Sequence, residues 1–212
     1  MRIEYLGHAC FFITFDNGTR LITDPYKPGA YGAIHYPSYE KEADVVTVSH
    51  EHEDHNAVSF VKGNPVVVKG TGEREIKGIK ITGFPSWHDR SKGKERGKNT
   101  IFLMEESYSL IHAGDLGDIP EPSVVEELKD KDILLLPVGG TFTLGPEEAW
   151  EFAELIKPRV VIPMHYKTSF ISFDLEPVSS FIQGRRHKFC GKIVHVDSLP
   201  ETMEIWVMED AG

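Results

Sequence analysis

Val45-Val46-Thr47-Val48-Ser49-His50-Glu51-His52-Glu53-Asp54-His55 is the stretch from which the rest of the chain is read. Its first four residues make an apolar run suited to a buried strand. Directly afterwards come three imidazoles and a carboxylate, His50, His52, Asp54 and His55, inside six residues. Neutral imidazole and carboxylate are the ligands that zinc and its borderline neighbours accept. A solvated acidic loop explains His50 and His52 as well as a metal does, but it does not explain the added pair Asp54 and His55. The spacing points to a metal site at the end of a strand.

Three further segments repeat this context. Ile79 to Trp87 runs into His88, Leu110-Ile111-His112-Ala113-Gly114 into Asp115, and Val160-Val161-Ile162-Pro163-Met164 into His165. In α/β architectures the carboxyl ends of strands share one rim, where ligands bind, so donors far apart in sequence can meet there. Seven donors at one rim suit two metal ions.

The chain has 212 residues, enough for a substantial core, and is expected to form one domain over 1–212. Asp16-Asn17-Gly18 between the apolar runs Cys10 to Phe15 and Arg20 to Thr23 predicts a hairpin, so the fold opens antiparallel. Later segments alternate: helix Ser123 to Leu128, strand Ile133 to Val138, helix Pro146 to Ile156, strand Val160 to Met164, helix Pro177 to Ile182, strand Ile193 to Val196. The helix from Pro146 carries Glu147 and Glu148 at its positive end and Ala149, Phe152, Ala153 and Ile156 on one face. A formal charge of -10 disfavours nucleic acid, which is bound through Lys and Arg. Two cysteines, Cys10 in an apolar run and Cys190, suggest free thiols and a cytoplasmic setting. No apolar run has signal or membrane-spanning length, so no membrane partner is expected.

In the order His50-x-His52-x-Asp54-His55, His88, Asp115 and His165, the chain resembles the metallo-β-lactamase-fold hydrolases over nearly its whole length. Leu6-Gly7-His8-Ala9, Thr23-Asp24-Pro25, His112-Ala113-Gly114-Asp115, and Gly139 to Glu148 with Pro163-Met164-His165-Tyr166 carry the resemblance further. These segments are similar to those of small bacterial and archaeal metal-dependent hydrolases related to ascorbate-phosphate lactonase. N-acylphosphatidylethanolamine phospholipase D is a more distant relative. Thr141 departs from the pattern, since related sequences often carry a bulkier or imidazole side chain there.

The resemblance implies an α/β fold, the four-layer αββα sandwich, and a distribution of roles. His50, His52 and His88 would hold one divalent ion, Asp54, His55 and His165 a second, and Asp115 would bridge them. A hydroxide generated between two such ions attacks the substrate, with Asp54 also orienting it or moving a proton. Every implied ligand is nitrogen or oxygen, so manganese or iron would be accepted, with zinc the first choice.

Other residues are candidates to orient the ligands or to touch substrate. Asp24 can accept from a ligating imidazole, or merely cap a turn before Pro25. His8, His112 and Tyr166 lie in or beside the matched segments and are either functional or structural. His35, His187 and His195 lack a motif. Tyr26, Tyr31, Tyr36 and Tyr39 punctuate a loop that either walls the site or packs over a sheet. The run 90–98, with Arg90, Lys92 and Lys94, either captures an anion or is a solvated connector.

The expected substrate is a small metabolite ester or lactone carrying an anionic group, with phosphodiesters second. Two other classes compete. Flavin-dependent di-iron oxygen reductases of this fold typically place a carboxylate where His52 stands and append a flavodoxin domain, and a non-catalytic protein would bind metal without turnover.

Overall fold

Apolar runs become strands wherever both sides of the backbone can be covered. The computed structural model describes residues 1–210. The first half contains β1 (Arg2–Gly7), β2 (Cys10–Thr14), β3 (Arg20–Thr23), β4 (Val45–Val48), β5 (Val66–Lys69), β6 (Gly72–Ile76), β7 (Ile79–Trp87) and β8 (Lys98–Glu105). The second contains β9 (Ser109–His112), α1 (Pro122–Leu128), β10 (Ile133–Pro137), α2 (Pro146–Ile156), β11 (Val160–Met164), α3 (Val178–Ile182), β12 (His187–Cys190), β13 (Ile193–His195) and β14 (Glu204–Met208). One sheet has the order β13-β1-β2-β3-β4-β5 and the other β12-β14-β11-β10-β9-β8-β7-β6.

The chain opens antiparallel through β1, β2 and β3, and then β3, β4 and β5 run parallel. Asn17-Gly18 makes the expected turn: Gly18 has φ +87°, and its N–H donates to Phe15 O at 2.9 Å. In the second sheet β9, β10 and β11 are consecutive parallel neighbours with α1 and α2 between them. That order places several carboxyl ends on one rim, which positions the site.

Strands covered on both faces read as unbroken apolar runs. β10 is buried throughout, with Ile133 and Leu135 turned into the space between the sheets and Leu134 and Leu136 turned towards the helices. The inter-sheet core joins Ile3, Phe11 and Leu21 of one sheet to Phe102, Leu135 and Ile162 of the other. Against the far face of the larger sheet α2 buries Ala149, Phe152, Ala153 and Ile156, the face its periodicity predicts, and Lys157 ends it at φ +55°. The far face of the smaller sheet is covered differently. Residues of loops and short 3-10 turns, among them Tyr26, Ala30, Ile34, Tyr36, Val61, Ile171 and Leu175, pack on Cys10, Phe12, Ile22 and Val46.

Element ends differ from expectation by a residue: β2 stops at Thr14, β10 at Pro137 and β13 at His195, while Pro122 opens α1 and Pro177 precedes α3. Proline at a helix start removes only an N–H that has no helical partner. β5, β6, β8, β12 and β14 are additional strands. β6 shows why: four of its five positions are exposed, so pairing with β7 rather than burial makes it a strand. Both cysteines are free, Cys10 buried beneath the loop layer. Among the described residues no helix is long and apolar enough to cross a membrane.

Phe102 is wholly buried between the sheets. Phe102→Ala should lower the unfolding free energy by about 3–5 kcal/mol, read by urea titration in the presence of chelator so that metal linkage does not contribute. A loss below about 1 kcal/mol would show that the inter-sheet space repacks freely.

Candidate metal centre

Each ligand candidate leaves the end of a strand. His50 to His55 follow β4, His88 follows β7, Asp115 follows β9 and His165 follows β11. Asp24 follows β3, and His8 lies in the tight turn between β1 and β2. Three of these residues hold left-handed backbone: His8 at φ +56°, Asp24 at +35° and His165 at +52°. Such a conformation costs a non-glycine residue about 1–2 kcal/mol and recurs at functional sites. Here main-chain bonds hold it, Asp24 N–H to Thr47 O at 2.9 Å and His165 N–H to His8 O at 3.0 Å.

The neighbours of the imidazoles decide which nitrogen faces the site. Phe142 O accepts from His88 Nδ1 at 3.1 Å, so Nε2 carries the lone pair. Asp24 Oδ2 accepts from His55 Nδ1 at 2.9 Å. The Ser49 hydroxyl gives its single proton to the same Asp24 oxygen at 2.5 Å and so accepts from His50 Nδ1 at 2.9 Å. One buried carboxylate thereby orients two histidines, directly and through Ser49.

The Nε2 atoms converge on one carboxylate oxygen. Asp115 Oδ2 lies 3.2 Å from His88, 3.3 Å from His55, 3.4 Å from His165 and 3.8 Å from His50. Three overlapping groups of donors have ligand atoms within 4.8 Å of one another: His50, His52 and His88; His8, Asp54, His55 and His165; and Asp24, His50 and His55. His50 Nε2, His55 Nε2, Asp54 Oδ1 and Asp115 Oδ1 are buried without a hydrogen-bond partner among the described residues. Orphaned polar atoms of this kind cost about 1–3 kcal/mol each unless a proton or a cation meets them. The donor set fits divalent metal.

Asp115 is also held from behind. Its N–H donates to Asn99 Oδ1 at 3.0 Å, while Asn99 Nδ2 donates to Ala113 O and to Ser86 Oγ, both at 2.8 Å. Gly114, at φ +58°, lies so close to Asn99 and Ser49 that a Cβ would collide with both. Burial opposes charge on Asp115, but His165 and His55 outweigh it and hold its pKa well below the usual carboxylate value. Burial also opposes charge on His55, yet Asp115 and Asp54 lift its pKa well above that of ordinary imidazole. Burial, aided by His55, takes His50 down to about 3. Burial, aided by His165, takes His8 down to about 4, so neutral His8 donates from Nε2 to Asp54 Oδ2 at 3.1 Å.

The remaining candidates separate. His112 is structural: Nε2 donates to Ala9 O at 2.9 Å, and Nδ1 accepts from Gly114 N–H at 3.2 Å, tying the two sheets together below Asp115. Tyr166 is buried among residues of the helix-side core and does not line the cavity over the ligands. Tyr26 and Tyr36 pack on the smaller sheet and Tyr39 packs against them, leaving Tyr31 alone of the four in the cavity wall. Arg90 pairs with Glu148, Lys92 lies 3.6 Å from Glu121, and Lys94 is exposed, so none of the three reaches that cavity. His35 bonds Ser172 away from the ligands, and His187 and His195 are exposed.

The cavity over the ligands has a volume of about 270 Å³. His52, Asp54, His88, Asp115 and His165 form its floor, and Tyr31, Phe142, Phe173 and Arg96 its walls. Phe142, Phe173, Ser49 and Asn99 did not stand out in the sequence, and Arg96 was marked only as part of the basic run 90–98. No motif marks a lone aromatic or amide, although Ser49 directly beside His50 was the readable one.

Comparison with known proteins gives a consistent picture. A family model described as the β-lactamase superfamily domain matches residues 2–165. A UPF0173 metal-dependent hydrolase of Thermococcus onnurineus is 34% identical over 194 residues, covering 79% of this chain and 85% of that protein. Another from Methanopyrus kandleri is 34% identical over 198 residues, with the same coverage. A crystal structure from Thermotoga maritima, described as a Zn-dependent hydrolase of the metallo-β-lactamase superfamily, superposes with a TM-score of 0.82. It is 39% identical and covers 99% of this chain and 98% of that one.

Asp24→Asn should weaken metal binding about 10–100-fold, measured by competition with a chromophoric chelator, because the group orienting His55 and Ser49 loses its charge. Unchanged affinity would remove Asp24 from the centre. The pH dependence follows from His55. Its raised pKa contributes stability to the metal-free chain that is complete below the unfolded imidazole value, about 6.5, and is lost as pH rises through the folded value. A metal must displace that proton, so affinity should rise with pH, and calorimetry at pH 7 in buffers of different ionisation enthalpy should register proton release. Binding with no proton release would contradict the reading of His55.

Proposed function

The chain belongs to the β-lactamase superfamily and, within it, to the UPF0173 metal-dependent hydrolases, and from that premise we propose that it hydrolyses a small metabolite ester or lactone with two divalent ions. That it is a metal-dependent hydrolase of the metallo-β-lactamase fold follows from the family. The substrate class and the ion count are our reading. The observation that carries it is the small, aromatic-walled cavity standing directly over the donor groups of His52 and His88 and of Asp54 and His165.

His50, His52 and His88 would hold one ion, Asp54, His55 and His165 the other, with Asp115 between them. When bound, such ions lower the pKa of a water and polarise the oxygen of the attacked carbonyl; zinc is the first choice, and manganese or iron suit the same nitrogen and oxygen donors. The chain's own part is positioning and proton movement. Asp54 is fixed through Oδ2 by His8, while its Oδ1 is buried without a partner. Burial raises its pKa, but His55 and His8 overcome this and keep it an anion. Asp54 would therefore meet its ion through one lone pair of Oδ1 and, through the other, hydrogen-bond the attacking water and relay its proton. Water oxygen joins the acyl carbon, the acyl C–O bond breaks, and the proton passes from Asp54 to the leaving oxygen.

The size of the cavity supports a small substrate, since drug-sized ligands need roughly 300–1,000 Å³. The aromatic walls set apolar surface beside the floor, which lowers the local dielectric and strengthens the charge interactions there.

Chelator should abolish hydrolysis across a panel of esters and lactones, and added zinc, manganese or iron should restore it. His52→Ala should deplete mainly one ion, His55→Ala or His165→Ala mainly the other, and Asp115→Ala both, as read by elemental analysis. Full activity in a metal-free preparation would end the proposal. Turnover of phosphodiesters alone would replace the substrate class and keep the ion assignment.

A further inference from the structure

The loop that follows His88 is ordered by a single carboxylate. Asp89 accepts main-chain N–H bonds from Ser91 at 2.8 Å, Gly93 at 3.0 Å, Glu95 at 3.1 Å and Arg96 at 2.8 Å. Asp89 is itself buried. Burial opposes its charge, but those bonds overcome the opposition and lower its pKa. The basic stretch is thus wound around a fixed anion attached to a ligand, and the residue delivered to the cavity wall is Arg96.

Arg96 differs from the other cations of this loop. Arg90 is paired with Glu148 and Lys92 faces Glu121, whereas the guanidinium of Arg96 makes no side-chain hydrogen bond among the described residues. Its nearest carboxylate is exposed Glu95 at 4.0 Å. Its Cζ lies 5.3 Å from the centroid of the Phe142 ring. The ring holds the guanidinium beside the cavity while its N–H donors stay unbonded to the described side chains, and such a fork grips a carboxylate or phosphate through two bonds. Phe142 meets Phe173 edge to face at 5.2 Å between centroids, and Tyr31 continues that wall. The cavity therefore offers metal donors on its floor, an apolar aromatic middle and one free fork of donors at its side.

We propose that Arg96 is the specificity-determining residue of this site and receives an oxyanion group, carboxylate or phosphate, carried by the substrate away from the bond that is cleaved. The aromatic wall then takes the apolar body between the two ends. This rests on the reading that the cavity is where substrate binds, and it narrows the substrate to an anionic ester or lactone.

The test is a binding measurement that needs no turnover. A homologous series of phenylalkane diacids and their monoamides is titrated calorimetrically into the zinc-loaded protein. One carboxylate occupies the floor in every case, and the second group alone differs. For the spacer that fits, the diacid should bind at least about tenfold tighter than its monoamide, as a well-formed contact to a charged group requires. Arg96→Gln should bring that ratio close to one while leaving monoamide affinity unchanged, and Arg96→Lys, which keeps the charge without the fork, should fall between. Members ending in phosphonate distinguish the source of the anion, since the end group with the larger ratio is the one the fork prefers.

A ratio near one across the series in the parent protein would overturn the proposal. So would an unchanged ratio in Arg96→Gln. A fall in monoamide affinity equal to that of the diacid would make Arg96 a support for Phe142 instead. Failure of the hydrolytic reading shows separately, as absence of turnover in the metal-loaded parent with the binding ratio intact.

Discussion

Around one oxygen of Asp115, four imidazole nitrogens from three segments of the chain lie between 3.2 and 3.8 Å away. Bringing buried acceptors so close is unfavourable for the bare polypeptide, and nothing in the immediate vicinity offsets it except a proton or a cation. The remainder of the fold can be understood as what enforces that convergence. Two sheets share an apolar core, their parallel segments end on one rim, and His112 bonds across from one sheet to the other just beneath it. A protein interior packed in this way is scarcely compressible, so the donors cannot drift apart to relieve their repulsion.

Orientation is achieved with few groups. Asp24 serves His55 directly and His50 through Ser49, Phe142 O serves His88, and His8 serves Asp54. Three residues near these contacts accept left-handed backbone without being glycine. Strain of that order is small beside the inter-sheet core, and it buys direction: a strand that simply continued would carry His165 past the rim. Gly139 has the complementary role, since a Cβ there would collide with the carbonyl oxygen of His165.

The metal donors were legible because each is announced locally, by an apolar run that ends in a coordinating side chain. His50, His52, Asp54 and His55 need only six residues of context, and Asp115 and His165 only the strand before them. Asp24 and His8 were readable as neighbours of the site but not as partners of particular atoms, because those partners stand 31 and 46 positions away. Phe142 and Phe173 were silent, and Arg96 could not be told from the other cations of the run 90–98, for a stronger reason. Their placement depends on a loop wound about Asp89 and on the covering of a sheet by irregular chain, and neither leaves a periodic trace. The same applies to strands: β10 and β11 declare themselves through burial on both faces, whereas β6 exists through its pairing with β7.

One outer layer of this sandwich is made of helices and the other of loops and single turns. Irregular segments contribute Tyr31, Phe142 and Phe173 to the cavity, and of these Phe142 is tied to a ligand only through its carbonyl oxygen, which any side chain would supply. Doubling the length of such a segment costs only about 0.6 kcal/mol of closure entropy. Shape and polarity of the cavity can therefore change by insertion or substitution in the loop layer while the sheets, the rim and every coordinating atom remain where they are. Divergence of substrate and retention of chemistry are physically separable in this architecture, and the loop-covered face is where new specificities can arise at least expense to folding.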